Sequence, residues 1–169
     1  MKAPEDREGT LKLFQEGPAL LERVVADLTE TQLDAKPAKG GWTIRQIIHH
    51  IVDGDDIWKM GIKMALGNTT SEFSLVWYSD LSQESWSERW AYHKRSIDVS
   101  LALFKATRAH VLQILENRPD GWTQSVAVRG KKDSRVEHVP IGFVIQMQAE
   151  HVVHHIKRIQ EILHELNNR

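Results

Sequence analysis

Nine histidines and no cysteine occur in this chain of 169 residues, which leaves imidazole as its softest metal ligand. The missing cysteine also rules out disulfides, thiolate-held zinc, iron–sulfur clusters and any cysteine nucleophile. Two groups of histidines have spacings that could do chemistry. His151 and His155 are four positions apart, so on a helix both rings leave one face a single turn apart. That spacing lets two imidazoles grip one ion. His49 and His50 are adjacent and must face different ways. His50 shares its stripe with Ile47, Gly54, Ile57 and Gly61 and is expected to point inward. His49 lines up with Arg45, Asp53 and Asp56 and is expected in water, as is His154 beside Glu150, Lys157 and Glu161. His151 and His155 flank the apolar stripe Ile145, Val152, Ile156 and Ile159.

Three inward histidines on two helices allow two readings. They form a facial set of nitrogens with open positions for water or substrate, which is the catalytic pattern of a metal site. Or each ring is hydrogen-bonded separately near the core. Other polar residues are weaker candidates. Asp55 and Gln148 are the inward-facing groups that could orient a ligand's free ring N–H, whereas Asp53 shares the face of His49. Arg45 is expected to be exposed at a helix start, and His93 to sit at the core edge with Trp86, Trp90 and Ile97. Trp77 and Tyr78 are candidates for a pocket wall.

The elements needed to hold these residues are helical. A first helix is expected from Pro18, which suits a first helical position, with a shorter piece near Leu11 to Gln15 before it. The pair Gly40-Gly41 ends a loop, and Thr43 is a candidate N-cap for a second helix running to about Leu66. A long loop from Thr69 to Ser85 follows, then a third helix from near Ser87 to Asn117. Ser125 to Val128 and Arg135 to Val139 alternate in polarity around Gly130-Lys131-Lys132-Asp133 and read as a hairpin. A fourth helix runs from Pro140 to about Leu166. The expected fold is all-α: one four-helix-bundle domain over residues 1–169, with a small β-hairpin between the third and fourth long helices.

Composition narrows the function. Lys plus Arg number 22 and Asp plus Glu 23, so there is no basic surplus for nucleic acid. The first ten residues lack the apolar core of a signal peptide, and no apolar run approaches the roughly 18 residues of a membrane span. A cytoplasmic protein with no membrane partner is expected. Leu103, Phe104 and Ile114 lie beyond one clean apolar stripe on the third helix, which suggests a homodimer.

The string from Gly40 to Asp53 (GGWTIRQIIHHIVD) and the string from Glu150 to Ile156 (EHVVHHI) resemble the two motifs of the DinB/YfiT-like superfamily. The resemblance extends over nearly the whole chain and is closest to the bacillithiol S-transferase branch, earlier described as metal-dependent hydrolases. It implies a four-helix bundle with a three-histidine divalent metal site. In this sequence the implied ligands are His50, eight residues after Trp42, and the pair His151 and His155. Zinc or nickel comes first among the compatible ions, with manganese and iron also accepting three imidazoles. The implied activity is transfer of a low-molecular-weight thiol to an electrophilic substrate. The absence of cysteine fits a thiol brought by the substrate. Two alternatives stand beside it: a hydrolase using a metal-activated water, and a non-catalytic metal-binding, stress-related module.

Overall fold

The computed structural model describes residues 1–68 and 70–168. In chain order the elements are α1 (Arg7–Val25), α2 (Glu30–Leu33), α3 (Ile44–Gly67), β1 (Glu72–Ser74), α4 (Val76–Ser79) and α5 (Gln83–Arg89). A 3-10 turn (Tyr92–Lys94), α6 (Ile97–Asn117), a second 3-10 turn (Pro119–Thr123), β2 (Ser125–Arg129), β3 (Glu137–Pro140) and α7 (Ile141–Asn167) complete it. The four long helices form the bundle: α1 and α3 each pack against both α6 and α7.

Helix starts follow local capping chemistry. The Asp6 carboxylate accepts the Gly9 N–H at 2.8 Å and starts α1. Thr43 and Gln46 form a reciprocal capping box at the start of α3, as the sequence suggested for Thr43. Two expected boundaries are corrected. Pro18 lies inside α1, not at its start. The third long helix begins at Ile97 with Ser96 as its cap, and Ser87 belongs to the separate short helix α5. The break between them is Ala91, whose left-handed backbone (φ 52°) no helix can continue through. Thr69, where the long loop was expected to begin, lies outside the described residues; the rest of that stretch carries β1, α4 and the start of α5.

The expected hairpin is present as β2 and β3, antiparallel with Val126 opposite Val139. β1 adds a third strand, parallel to β2, with Phe73 opposite Val128. Three residues are too few to show an alternation in the sequence, so this strand was missed.

The bundle interior holds two apolar clusters. On each long helix they lie on opposite sides of a polar layer centred on Arg108, which is 1% exposed. Its Nε donates to Asp55 Oδ2 on α3 at 2.7 Å, its Nη2 to the Gln148 carbonyl on α7 at 2.8 Å, and its Nη1 to the Phe14 carbonyl on α1 at 2.7 Å. One guanidinium therefore ties α6 to the other three long helices. The Phe14 carbonyl is free to accept because Pro18, four residues on, has no N–H to give it. A Cβ on Gly17 would stand 2.2 Å from Arg108 Nη1, so only glycine leaves room for the guanidinium. The same layer corrects one assembly clue: Phe104 packs 4.5 Å under the Arg108 guanidinium and is fully buried, while Leu103 and Val99 are the exposed apolar residues of α6. Among the described residues no helix is long and apolar enough to cross a membrane.

Replacing Arg108 by methionine leaves the Asp55 carboxylate buried without its partner, so urea unfolding should show a loss of about 3–5 kcal/mol. Gly17→Ala should also destabilise, because the methyl displaces the guanidinium. A loss below about 1 kcal/mol in Arg108→Met would show that the layer does not hold the helices together.

Candidate metal centre

The capping box at Thr43 sets the phase of α3 and so the direction of His50, in its second turn. The Trp42 indole stands edge-on to the His50 ring, centroids 4.7 Å apart, and limits its rotation. From α7, His151 and His155 project one turn apart toward the same point. His50 Nε2 lies 3.1 Å from His151 Nε2, which lies 3.0 Å from His155 Nε2. With one ligand atom taken from each residue, the three atoms all lie within 4.8 Å of one another. Gly54, one turn after His50, faces His151, and a Cβ there would lie 3.8 Å from His151 Cε1.

The donor set fits a metal. Imidazole–zinc bonds are about 2.0–2.1 Å long, so two at nearly right angles hold their nitrogens about 3 Å apart. Three neutral rings crowding their Nε2 atoms together have few protons to share, whereas one cation accepts all three lone pairs. The rings are held neutral. Burial, then the charges of His151 and Arg158, brings His50 down to about 4. Burial, then His154 and Arg108, brings His151 to about 4. Burial, then the neighbouring histidines, takes His155 to about 2. The Nδ1 atoms of His151 and His155 are buried with no hydrogen-bond partner among the described residues.

His50 and His155 open onto a cleft of about 590 Å³, lined also by Gly41, Trp42, Gln46, Arg158 and, from α5, Gln83, Glu84 and Glu88. The Gln46 side chain donates to the buried Ser87 hydroxyl at 2.9 Å, which fastens α5 over α3 as the far wall. His151 lies on the other side of the centre, on a shallower groove with Phe143 and Met147.

The structure thus brings together the three histidines that the sequence selected. His154 and Glu150 are exposed, as expected. His49 is not: it is fully buried, its Nδ1 2.9 Å from Ser100 Oγ and its Nε2 3.3 Å from the Arg95 carbonyl. The 3-10 turn and α6 cover this part of the α3 face, which the α3 stripe alone could not reveal. Asp53 is half-buried in the same network, 3.6 Å from Arg95 and bonded to Tyr92, and burial raises its pKa. Arg45 is buried as well, paired with Glu30 and Asp34. Asp55 holds Arg108 and no histidine, while Gln148 reaches the Gly54 carbonyl at 3.4 Å. His93 is exposed. Trp77 and Tyr78 do not line the cleft; Tyr78 stacks on Trp86 of α5 and on Trp90, and Trp77 stands edge-on to Tyr78 and Trp86. Sequence reasoning missed Arg158, Glu84 and Glu88. Arg158 had a signal, since it follows His155 by three residues on the same helix face. The glutamates had none, because α5 was read as part of a loop and a longer helix.

The sequence model of the DinB superfamily matches residues 13–159. The chain belongs to the DinB superfamily. Among its relatives is a chain of Oceanobacillus iheyensis named "Putative metal-dependent hydrolase OB0782", 30% identical over 86% of this chain and 78% of that one. YfiT of Bacillus subtilis, of the same designation, is 25% identical over 94% of this chain and 84% of its own. The solved YfiT structure, described as a probable metal-dependent hydrolase with an unusual four-helix bundle topology, superposes with a TM-score of 0.81. It covers 99% of this DinB chain and 91% of YfiT at 23% identity, which establishes the shared fold. The mycothiol-dependent maleylpyruvate isomerase shares the fold at a TM-score of 0.64 and 19% identity, over 90% of this chain and 60% of the isomerase.

Burial of neutral histidines has a pH signature. His49 is pushed down to about 4, chiefly by burial, whereas an unfolded histidine titrates near 6.5. The unfolded state therefore binds protons first as pH falls, and stability present above pH 6.5 is lost toward pH 4. For His49 alone the loss between pH 7 and pH 5 should be about 2 kcal/mol, measured by chemical unfolding of the metal-free protein. The His49→Gln variant should show a smaller decline. A variant with an unchanged pH slope would contradict the buried, neutral state of His49.

Proposed function

We propose that this protein is a divalent-metal-dependent enzyme that transfers a low-molecular-weight thiol to an electrophilic substrate, with His50, His151 and His155 as the metal ligands. The observation that carries the reading is the convergence of three Nε2 atoms, two of them from histidines that line an open cleft. A divalent ion bound there would act as a Lewis acid, lowering the pKa of a thiol or water in the cleft. The chain has no cysteine, so a sulfur nucleophile would have to come from a substrate. Glu84 and Glu88 on the α5 wall can accept the thiol proton. The sulfur then forms the new bond to the electrophilic carbon, and the leaving group departs with its electron pair. The α5 wall and Trp42 narrow the cleft around the reacting groups. The shared fold of a thiol-dependent isomerase supports this reading.

Hydrolysis is the second reading, supported by the names of the relatives and by the two cleft carboxylates, either of which could take a proton from water. A cytoplasmic homodimer, paired through the exposed Val99 and Leu103 of α6, and a single domain over residues 1–169 belong to the same proposal.

Purified protein should bind about one divalent ion per chain. His50→Ala, His151→Ala and His155→Ala should each weaken binding by more than the 10- to 100-fold typical of losing a group that only supports a ligand. His154→Ala should leave metal affinity unchanged. Metal retained by the double His151/His155 variant would refute the ligand assignment.

Chelation should abolish thiol transfer to chlorodinitrobenzene while leaving the helical circular dichroism intact, and zinc or nickel should restore activity before manganese or iron. Turnover of a nitrophenyl ester without thiol, and no thiol transfer with any metal, would replace the transferase by the hydrolase. Inactivity in both assays with full metal binding would favour the non-catalytic module.

A further inference from the structure

Among the described residues Arg158 is a cation without a counter-ion. It lines the cleft with His50 and His155, is half-buried, and has no ion-pair or hydrogen-bond partner among the described residues. Its charge is near enough to both histidines to lower their affinity for protons. The facing glutamates, Glu84 and Glu88, are exposed on the opposite wall and make no ion pair with it.

The other arginines that are buried or half-buried all have partners: Arg45 has Glu30 and Asp34, Arg108 has Asp55 and two carbonyls, Arg7 has the Pro119 carbonyl, Arg95 has Asp53 and Arg129 has Glu72. Arg158 is less buried than Arg45 and Arg108, and unlike all of these it faces the cleft. Given the metal reading above, on which this inference rests, the contrast sharpens. Three neutral imidazoles bring no charge to offset a divalent cation, and Arg158 adds another positive charge beside it. Glu84 and Glu88 face these charges across the cleft without pairing with Arg158, so an anion that enters beside Arg158 gains the attraction of the positive charges directly. A planar guanidinium at a cleft wall is also the group best shaped to receive a carboxylate with two parallel hydrogen bonds.

We propose that Arg158 seats a carboxylate of the thiol substrate, so that the enzyme selects thiols bearing an acidic group over neutral ones. Arg158 is then a specificity-determining residue. It fixes the end of the thiol remote from sulfur, and the sulfur is left facing the three histidines. A charge-assisted pair in a partly buried cleft corresponds to roughly tenfold to a hundredfold in affinity.

The test uses the zinc-loaded protein, its metal content verified in each variant, with mercaptopropionate and mercaptoethanol as thiols with and without the carboxylate. Calorimetry should show mercaptopropionate binding at least about tenfold more tightly to the unmodified protein. Arg158→Gln should erase that preference, and Arg158→Lys should restore part of it. Equal affinity for the two thiols in the unmodified protein, or a preference that survives Arg158→Gln, would overturn the proposal. Succinate titrated into the metal-free protein separates this inference from the thiol reading. Binding of succinate that is lost in Arg158→Gln keeps the carboxylate seat even if no thiol binds at all. Failure of succinate and both thiols to bind would sink the seat.

Discussion

Everything in the bundle is arranged around one buried charge. Arg108 joins α6 to α1, α3 and α7 at a single point, through hydrogen bonds of 2.7–2.8 Å. The sequence provides for it in three places. Pro18 withholds an N–H and leaves the Phe14 carbonyl available, Gly17 clears the space, and Asp55 supplies the opposite charge. A proline inside a helix ordinarily costs about 3 kcal/mol or more, partly for the unmet carbonyl. Here that carbonyl is met from another helix, so the defect in α1 becomes a tertiary contact. A buried ion pair adds little net stability compared with apolar packing, but it penalises any register in which the partners fail to meet. The Arg108 layer therefore acts chiefly to fix the axial positions of the helices.

That fixation reaches the histidines directly. Asp55 is five residues after His50 on α3, and Gln148, whose carbonyl Arg108 holds, is three residues before His151 on α7. A slide of α7 against α3 by one residue, about 1.5 Å, would separate nitrogens now 3.0–3.1 Å apart. The Gln148 amide bond to the Gly54 carbonyl adds a second tie at the same level. Placement of the candidate site is thus a consequence of the polar layer beneath it, with the capping box of α3 and the Trp42 edge contact supplying the final aim of His50.

The sequence made the two periodic features legible and hid the features made by neighbours. His50, His151 and His155 could be chosen because helical phase depends only on the residues of one helix. His49 and Arg45 were misassigned for the same reason: their stripe on α3 is polar, yet α2, α6 and the Tyr92–Lys94 turn cover it and satisfy each group. A polar stripe reads as solvated only while nothing polar packs against it. Pro18 was misplaced because its tolerance depends on Arg108, ninety residues away in the chain. The α5 wall of the cleft escaped because Ala91 adopts a left-handed turn with no glycine to announce it.

The two apolar clusters of the scaffold include none of the three histidines. Apolar clusters lie on both sides of the Arg108 layer, and α3 and α7 are held to α6 and α1 by contacts far from the histidines. In a small zinc-nucleated domain the metal's binding energy is the folding energy. Here the three rings sit at the edge of the core, two of them facing the cleft, with no fourth His, Asp or Glu in the group among the described residues. A site with that geometry adds little to the integrity of the fold and leaves coordination positions for something that enters from solvent. The burial that keeps the imidazoles neutral points the same way: it costs proton affinity at His50, His151 and His155, a cost that only a ligand for their lone pairs recovers. The unpaired Arg158 at the rim gives that arrangement a direction, drawing the negative end of whatever enters to one side and its reacting end toward the rings.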